Sequence, residues 1–165
     1  MIVIRDFLPD KAKQVDALAL QAFAQYQKAY QDWPVFQAKL GKLSALANVG
    51  ELVVAEVGGQ VVGAVVYIGP NAPKADFFRP EWSIMRMLVV TPEMRGRGIG
   101  RLLAEECLHR AQRDGATTVA LHTSDLMQVA LQMYQRMGFK LVAKAPLIHG
   151  VAYGIYVKEL AADEH

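Results

Sequence analysis

Glu51 to Val57 and Gln60 to Gly69 are Val-rich runs separated only by Gly58-Gly59. Adjacent glycines reach the positive φ angles of a two-residue hairpin turn without steric cost, so these runs are expected to pair antiparallel. An antiparallel pair placed this early argues against a fold that opens as a parallel nucleotide-binding unit.

The remaining elements arrange themselves around that hairpin. Ile2 to Phe7 has the β-branched content of a first strand, and Asp10 is placed to cap a helix. Val15, Leu18, Ala19, Ala22, Phe23, Tyr26, Ala29 and Tyr30 recur at three- and four-residue steps, one apolar stripe on a long helix. Asp32-Trp33-Pro34 interrupts it, and a shorter helix carries Phe36, Leu40 and Leu43. Trp82 to Val90 reads as a strand, followed by a helix from Gly98 to Asp114 with Ile99, Leu102, Leu103, Cys107, Leu108 and Ala111 inward. Thr117 to Thr123 is a further strand, and Asp125 with Gln128 resembles a capping box for a helix stopping at Gly138. Phe139 to Ala143 and Val151 to Leu160 are the last two strands. The order β-α-α-β-β-β-α-β-α-β-β implies an α+β fold, a single domain over residues 1–165 with a mixed, mostly antiparallel central sheet flanked by helices.

Composition narrows the function classes. The chain has 165 residues, 18 basic against 16 acidic, and a formal net charge of +2, which gives no electrostatic warrant for nucleic-acid binding. A hydrophobic share of 53% excludes disorder and is compatible with a homodimer. A single cysteine excludes an intrachain disulfide and a cysteine-based zinc site. The apolar runs are strand-sized, and Met1-Ile2-Val3-Ile4-Arg5-Asp6 lacks the basic and apolar regions of a signal peptide, so the expectation is a cytoplasmic protein with no membrane partner.

The segment from Val89 through Thr91-Pro92 to Arg95-Gly96-Arg97-Gly98-Ile99-Gly100-Arg101 joins a strand to a helix. Glycines there let a ligand approach backbone N–H groups, and the helix N-terminus adds unpaired donors and partial positive charge. Arg95, Arg97 and Arg101 supply cations for the same anion. A pyrophosphate site follows. A dinucleotide fingerprint is excluded because Arg101 and Leu103 stand where its third glycine belongs, and no Gly-Lys-Ser/Thr forms a P-loop.

These residues resemble the GNAT superfamily of acyl-CoA-dependent N-acetyltransferases. Arg95-Gly96-Arg97-Gly98-Ile99-Gly100 matches its Arg/Gln-x-x-Gly-x-Gly/Ala signature, flanked by Met87-Leu88-Val89-Val90-Thr91-Pro92 and Leu102-Leu103. A second family segment is Ala130-Leu131-Gln132-Met133-Tyr134-Gln135-Arg136-Met137-Gly138-Phe139. The resemblance implies acetyl-CoA as co-substrate, with no metal. Backbone N–H groups from Gly96 to Arg101 would hold its pyrophosphate, and the Leu88 to Val90 strand edge would pair with the pantetheine arm in a gap beside Thr118 to Ser124. Ser124, Met127 and Ala130 would also contact it. The Leu88 N–H would meet the thioester carbonyl, and Tyr134 would be the general acid, since a phenol stays protonated at neutral pH and can donate to a leaving thiolate.

The base is open. Ile84 stands where several family members carry a glutamate; Glu81, His122, Asp125 and His149 are the candidates. By the same resemblance the acceptor pocket would draw on Tyr26, Tyr30, Trp33, Phe78 and His149, with Phe23, Phe77, Trp82 and Tyr153 nearby. The expected function is direct transfer of an acetyl group to a primary amine of a small molecule or peptide. The alternative is a non-catalytic acyl-CoA sensor.

Overall fold

Gly58 and Gly59 take φ of 58° and 80°, and the two Val-rich runs close on them as β2 (Glu51–Val57) and β3 (Gln60–Ile68), paired antiparallel. The computed structural model describes residues 1–161; residues 162–165 of the expected domain lie outside the described residues. With β1 (Ile2–Asp6), β4 (Ser83–Val90), β5 (Thr118–Thr123), β6 (Lys140–Ile148) and β7 (Val151–Glu159), the hairpin builds one seven-stranded sheet. Its order is β1-β2-β3-β4-β5-β7-β6, antiparallel except between β4 and β5.

Alternation along the strands divides the core between the two faces. Val54, Val66 and Ile84 pack under α1 (Ala12–Phe23) and α2 (Trp33–Leu40) with Val15, Leu18 and Phe36. Val53, Val65 and Met85 pack under α3 (Ile99–Arg113) and α4 (Gln128–Arg136) with Leu103, Cys107 and Leu131. Among the described residues no helix is long and apolar enough to cross a membrane.

Glycine at position 63 lets α3 approach β3. A Cβ there would sit 3.0 Å from both Ile99 Cγ2 and Leu103 Cδ1, and 3.2 Å from the Val89 carbonyl oxygen. Gly63→Ala is therefore expected to lower stability by about 1–3 kcal/mol in urea unfolding. An unchanged midpoint would mean that α3 shifts freely.

Several local expectations are corrected. The long first helix ends at Phe23 and continues as a 3-10 turn over Ala24–Ala29, so Ala29 is exposed and leaves the stripe. Asp10 lies inside a preceding 3-10 turn and makes no cap. Leu102 points outward, 40% exposed. Asp125 and Gln128 form no capping box: Gln128 Nε2 donates to the Asp125 carbonyl, and Ser124 Oγ accepts from the Leu126 N–H at 3.2 Å. β6 runs on to Ile148 through Pro146, at an irregular register on an edge strand where a missing N–H is tolerated.

Candidate active site

β4 and β5 are in register only at Ser83↔Val119 and Ile84↔Ala120, and then diverge. On its other side β4 steps from Val66↔Arg86 to Ala64↔Val89, so three residue steps oppose two on β3. Met87 takes up the extra residue at φ 57°, and no residue of β3 or β5 stands opposite Met87 or Leu88. A left-handed methionine costs about 1–2 kcal/mol, which the flanking pairs must hold in place. An extra residue of this kind interrupts the ladder locally and leaves backbone groups available beside the gap.

The gap opens into a cavity of about 470 Å³. Met85 to Leu88 form one wall, Leu121 to Thr123 the opposite one, and Met127, Ala130 and Tyr134 come from the start and body of α4. Phe36, Leu40 and Leu43 close the α2 side, with His149 and Tyr153 from the β6–β7 end.

Tyr134 is 5% exposed and its ring meets Phe139 edge-to-face, with centroids 5.9 Å apart. Its hydroxyl has no hydrogen-bond partner among the described residues, while Tyr134 and Leu88 line the same cavity. Burial, with a smaller contribution from Cys107, raises its pKa above that of an ordinary phenol, so it remains a proton donor at neutral pH. Cys107 is fully buried on α3, and burial pushes its thiol up to about 12, as suits an inert core residue.

Beyond β4 a 3-10 turn, Pro92–Met94, leads into the glycine turn. Gly96 and Gly98 have φ of 80° and 79°, and α3 starts at Ile99 with no side-chain cap. Among the described residues no acceptor takes the N–H groups from Gly96 to Arg101; the first to be paired is Leu102, whose N–H donates to the Gly98 carbonyl at 3.1 Å. Unclaimed donors at a helix N-terminus, with open space where Cβ atoms of Gly96 and Gly98 would stand, form an anion cradle.

The side chains around this cradle are not all turned toward it. Arg95 Nη2 donates to the Ala22 carbonyl at 3.2 Å, tying the turn to the end of α1. Arg97 and Arg101 are exposed, and Arg101 Nε lies 3.7 Å from Glu105. Ile99 and Val89 are core side chains, so only their backbone faces the site; Val90 is half-buried. Met127 and Ala130 line the cavity, whereas Ser124 is buried in the turn before α4.

Of the acceptor-side residues expected from the sequence, His149 lines the cavity, its ring tilted against Phe36 with centroids 5.0 Å apart. Tyr26, Tyr30, Trp33 and Phe78 do not. Tyr30 is buried, hydrogen-bonded to the Tyr153 hydroxyl and packed on Phe36 and Trp33, so it supports the wall from behind. Glu81 is exposed outside the cavity lining. Arg86, Lys39 and Lys42, which sequence reasoning passed over, do line it. The available signal was Arg86 itself, a charge within the otherwise apolar run Ile84 to Val90.

His122 lies in the cavity wall, stacked on Phe77, tilted against Phe78 and edge-on to Tyr153. Lys74 Nζ holds the loop that carries those phenylalanines by donating to the carbonyls of Ala72 and Pro80 at 2.7 and 2.8 Å. Burial, and secondarily the positive charge of Arg86, pulls His122 down to about 4, so it is neutral at physiological pH. Its Nδ1 is buried without a partner among the described residues. Since an unfolded histidine titrates near 6.5, the unfolded chain binds the extra proton first as pH falls. The stability contributed by neutral His122 is full above about pH 6.5 and is lost progressively toward pH 4, by about 2 kcal/mol at pH 5. Thermal melts should show a larger loss between about pH 7 and pH 5 for the native chain than for His122→Phe. Equal losses would contradict the depressed titration.

Comparison with known proteins agrees with this geometry. The family model described as "Acetyltransferase (GNAT) family" matches residues 15–139. N-acetyltransferase family 8 member 2 of Rattus norvegicus is 37% identical over 91 residues, 55% of this chain and 39% of that protein. The chain thus matches only about two fifths of that relative's length. A GNAT-family acetyltransferase from Staphylococcus aureus Mu50 superposes with a TM-score of 0.75 at 17% identity, covering 98% of this chain and 100% of the other. A GNAT acetyltransferase from Brucella melitensis, solved in complex with acetyl-CoA, gives a TM-score of 0.68 at 22% identity, covering 100% and 92%. The sheet split between β4 and β5, the glycine turn at the head of α3 and the family match over most of the chain lead to one conclusion: this chain belongs to the GNAT acetyltransferase family.

Proposed function

We propose that the protein transfers an acetyl group from acetyl-CoA directly to a primary amine. The single observation carrying this reading is that one cavity joins Leu88, which has no residue opposite it on β3 or β5, to the Tyr134 hydroxyl, which has no partner among the described residues, at the end of β4 that leads into the anion cradle. Acetyl-CoA would supply the activated thioester. Its fit is supported by the unclaimed N–H groups of Gly96 to Arg101, which suit a pyrophosphate, and by the gap beside Leu88 to Val90, which suits an extended arm. Met127 and Ala130 would contact that arm. Arg97 and Arg101 would add positive charge at the turn, while Arg95 would act through its hold on α1.

The chain's own groups then have defined tasks. The Leu88 N–H would donate to the carbonyl oxygen as negative charge develops there, an interaction worth about a hundredfold in rate. Tyr134 would hold a proton for the departing thiolate. The apolar walls would exclude water and favour the amine in its neutral form. Among the described residues no carboxylate lines the cavity to act as base; neutral His122 is a lining group able to accept a proton, and His149 also lines the cavity.

That missing carboxylate favours the second reading, a domain that binds acyl-CoA without turnover. Incubating the protein with acetyl-CoA and a broad amine panel separates the two. Free thiol released only when an amine is present is the result expected of a transferase; binding with no thiol release across the panel would leave a sensor.

A further inference from the structure

We infer that the amine accepted by this site also carries a carboxylate, which Arg86 holds. The inference deepens the transferase reading and rests on it. Arg86, Lys39, Lys42, His122 and His149 all line the cavity, and no Asp or Glu among the described residues does. Arg86 differs from the two lysines in lying on β4, in the same wall as Leu88, and in carrying a planar guanidinium. It makes no hydrogen bond or ion pair with any described residue, whereas Arg110 engages Asp6, Glu51 and Glu106, and Arg113 engages Glu51 and Asp114. Arg79, Arg97 and Arg136, which also form no ion pair among the described residues, lie outside the cavity lining.

Arg86 is an exposed residue that borders the cavity, and partial burial of its guanidinium there pulls its pKa below the usual arginine value. A guanidinium at the edge of an apolar cavity without a protein counter-ion is free to pair with a ligand, and its planar fork is best satisfied by a two-oxygen anion. The order along β4 says which anion. The strand runs from Arg86 through Leu88 and Val90 to the glycine turn, so Arg86 lies on the far side of Leu88 from the phosphate cradle. Its partner therefore belongs to the acceptor and not to the nucleotide. Lys39 and Lys42, exposed on α2 and just after it, draw anions to the mouth. Phe23, Phe36, Leu40 and Leu43 leave an apolar wall for the remainder. The chemistry described is that of an α-amino acid with an apolar side chain, and it opposes polyamines and lysine-rich tails.

The test compares phenylalanine and leucine with their carboxylate-free counterparts, phenethylamine and isoamylamine, as acceptors for the native protein, Arg86→Gln and Arg86→Lys. The ratio of kcat/KM for each amino acid over its counterpart is expected to fall about 30-fold in Arg86→Gln, through a higher KM, with Arg86→Lys between them. Amine basicity cancels because the same pair is compared across variants. Equal ratios in the native and Arg86→Gln proteins would overturn the assignment, as would a native preference for the counterparts. A calorimetric titration of N-acetylphenylalanine and N-acetylleucine in the presence of CoA needs no turnover. Binding weakened about 30-fold by Arg86→Gln supports the site; absence of binding to the native protein overturns it. An acetyl-CoA-induced rise in melting temperature in all three proteins shows that fold and cofactor site persist, and its absence from the native protein would count against the transferase reading itself.

Discussion

Tyr134→Phe is expected to lower kcat by about a hundredfold or more while acetyl-CoA affinity changes little. The ring, its edge-to-face contact with Phe139 and the filling of the α4 core all survive the substitution. Only the hydroxyl is removed, and among the described residues it has no partner whose loss could destabilise the fold. A drop in turnover at unchanged melting temperature would therefore report the missing proton donor. An unchanged rate would remove Tyr134 from catalysis. Because burial raises this phenol above its ordinary range, the proton remains in place across neutral and mildly alkaline pH, and no loss of activity at high pH below about 10 is expected from Tyr134.

The second large effect is expected at the glycine turn. Gly98 precedes α3 at φ 79°, and no atom of the described residues lies within 4 Å of where its Cβ would be. Gly98→Val adds a branched side chain in that open space, where the anion must approach, and strains the backbone by about 1–2 kcal/mol. Acetyl-CoA affinity should fall on the order of a hundredfold, corresponding to two charge-assisted hydrogen bonds lost. The direct readout is a binding isotherm. Affinity equal to that of the native protein would move the pyrophosphate away from this turn.

The sequence made the architecture readable wherever the signal was local. Gly58-Gly59 dictated the hairpin because only glycine pairs occupy those φ values cheaply, and the run from Thr91 to Gly100 announced its strand–turn–helix by proline and glycine together. The shape of the cavity was harder to read. The β4 bulge rests on a left-handed Met87, a conformation no sequence rule assigns to methionine, and it is stabilised by pairs on β3 that lie more than twenty residues away in the chain. The aromatic stripe Tyr26, Tyr30 and Trp33 looked like pocket lining, but helical spacing cannot tell the wall of a cavity from the layer behind it. Tyr30 went behind, held by Tyr153 from a strand at the opposite end of the chain. Arg95, one of three arginines grouped by sequence, was claimed by the Ala22 carbonyl through a tertiary contact. Local rules therefore recovered the elements, while long-range pairing decided which side chains face the cavity.

Titration of the native protein with acetyl-CoA, followed by thermal unfolding, tests most directly that the glycine turn and the split strands form one cofactor site. A ligand that binds only the folded chain stabilises it by about 2.7 kcal/mol at a hundred times its Kd. For a domain of this size that corresponds to a rise in melting temperature of roughly 5–10 °C. A saturable rise of that order, absent from Gly98→Val, is the expected result. No rise at saturating acetyl-CoA would contradict both the transferase and the sensor.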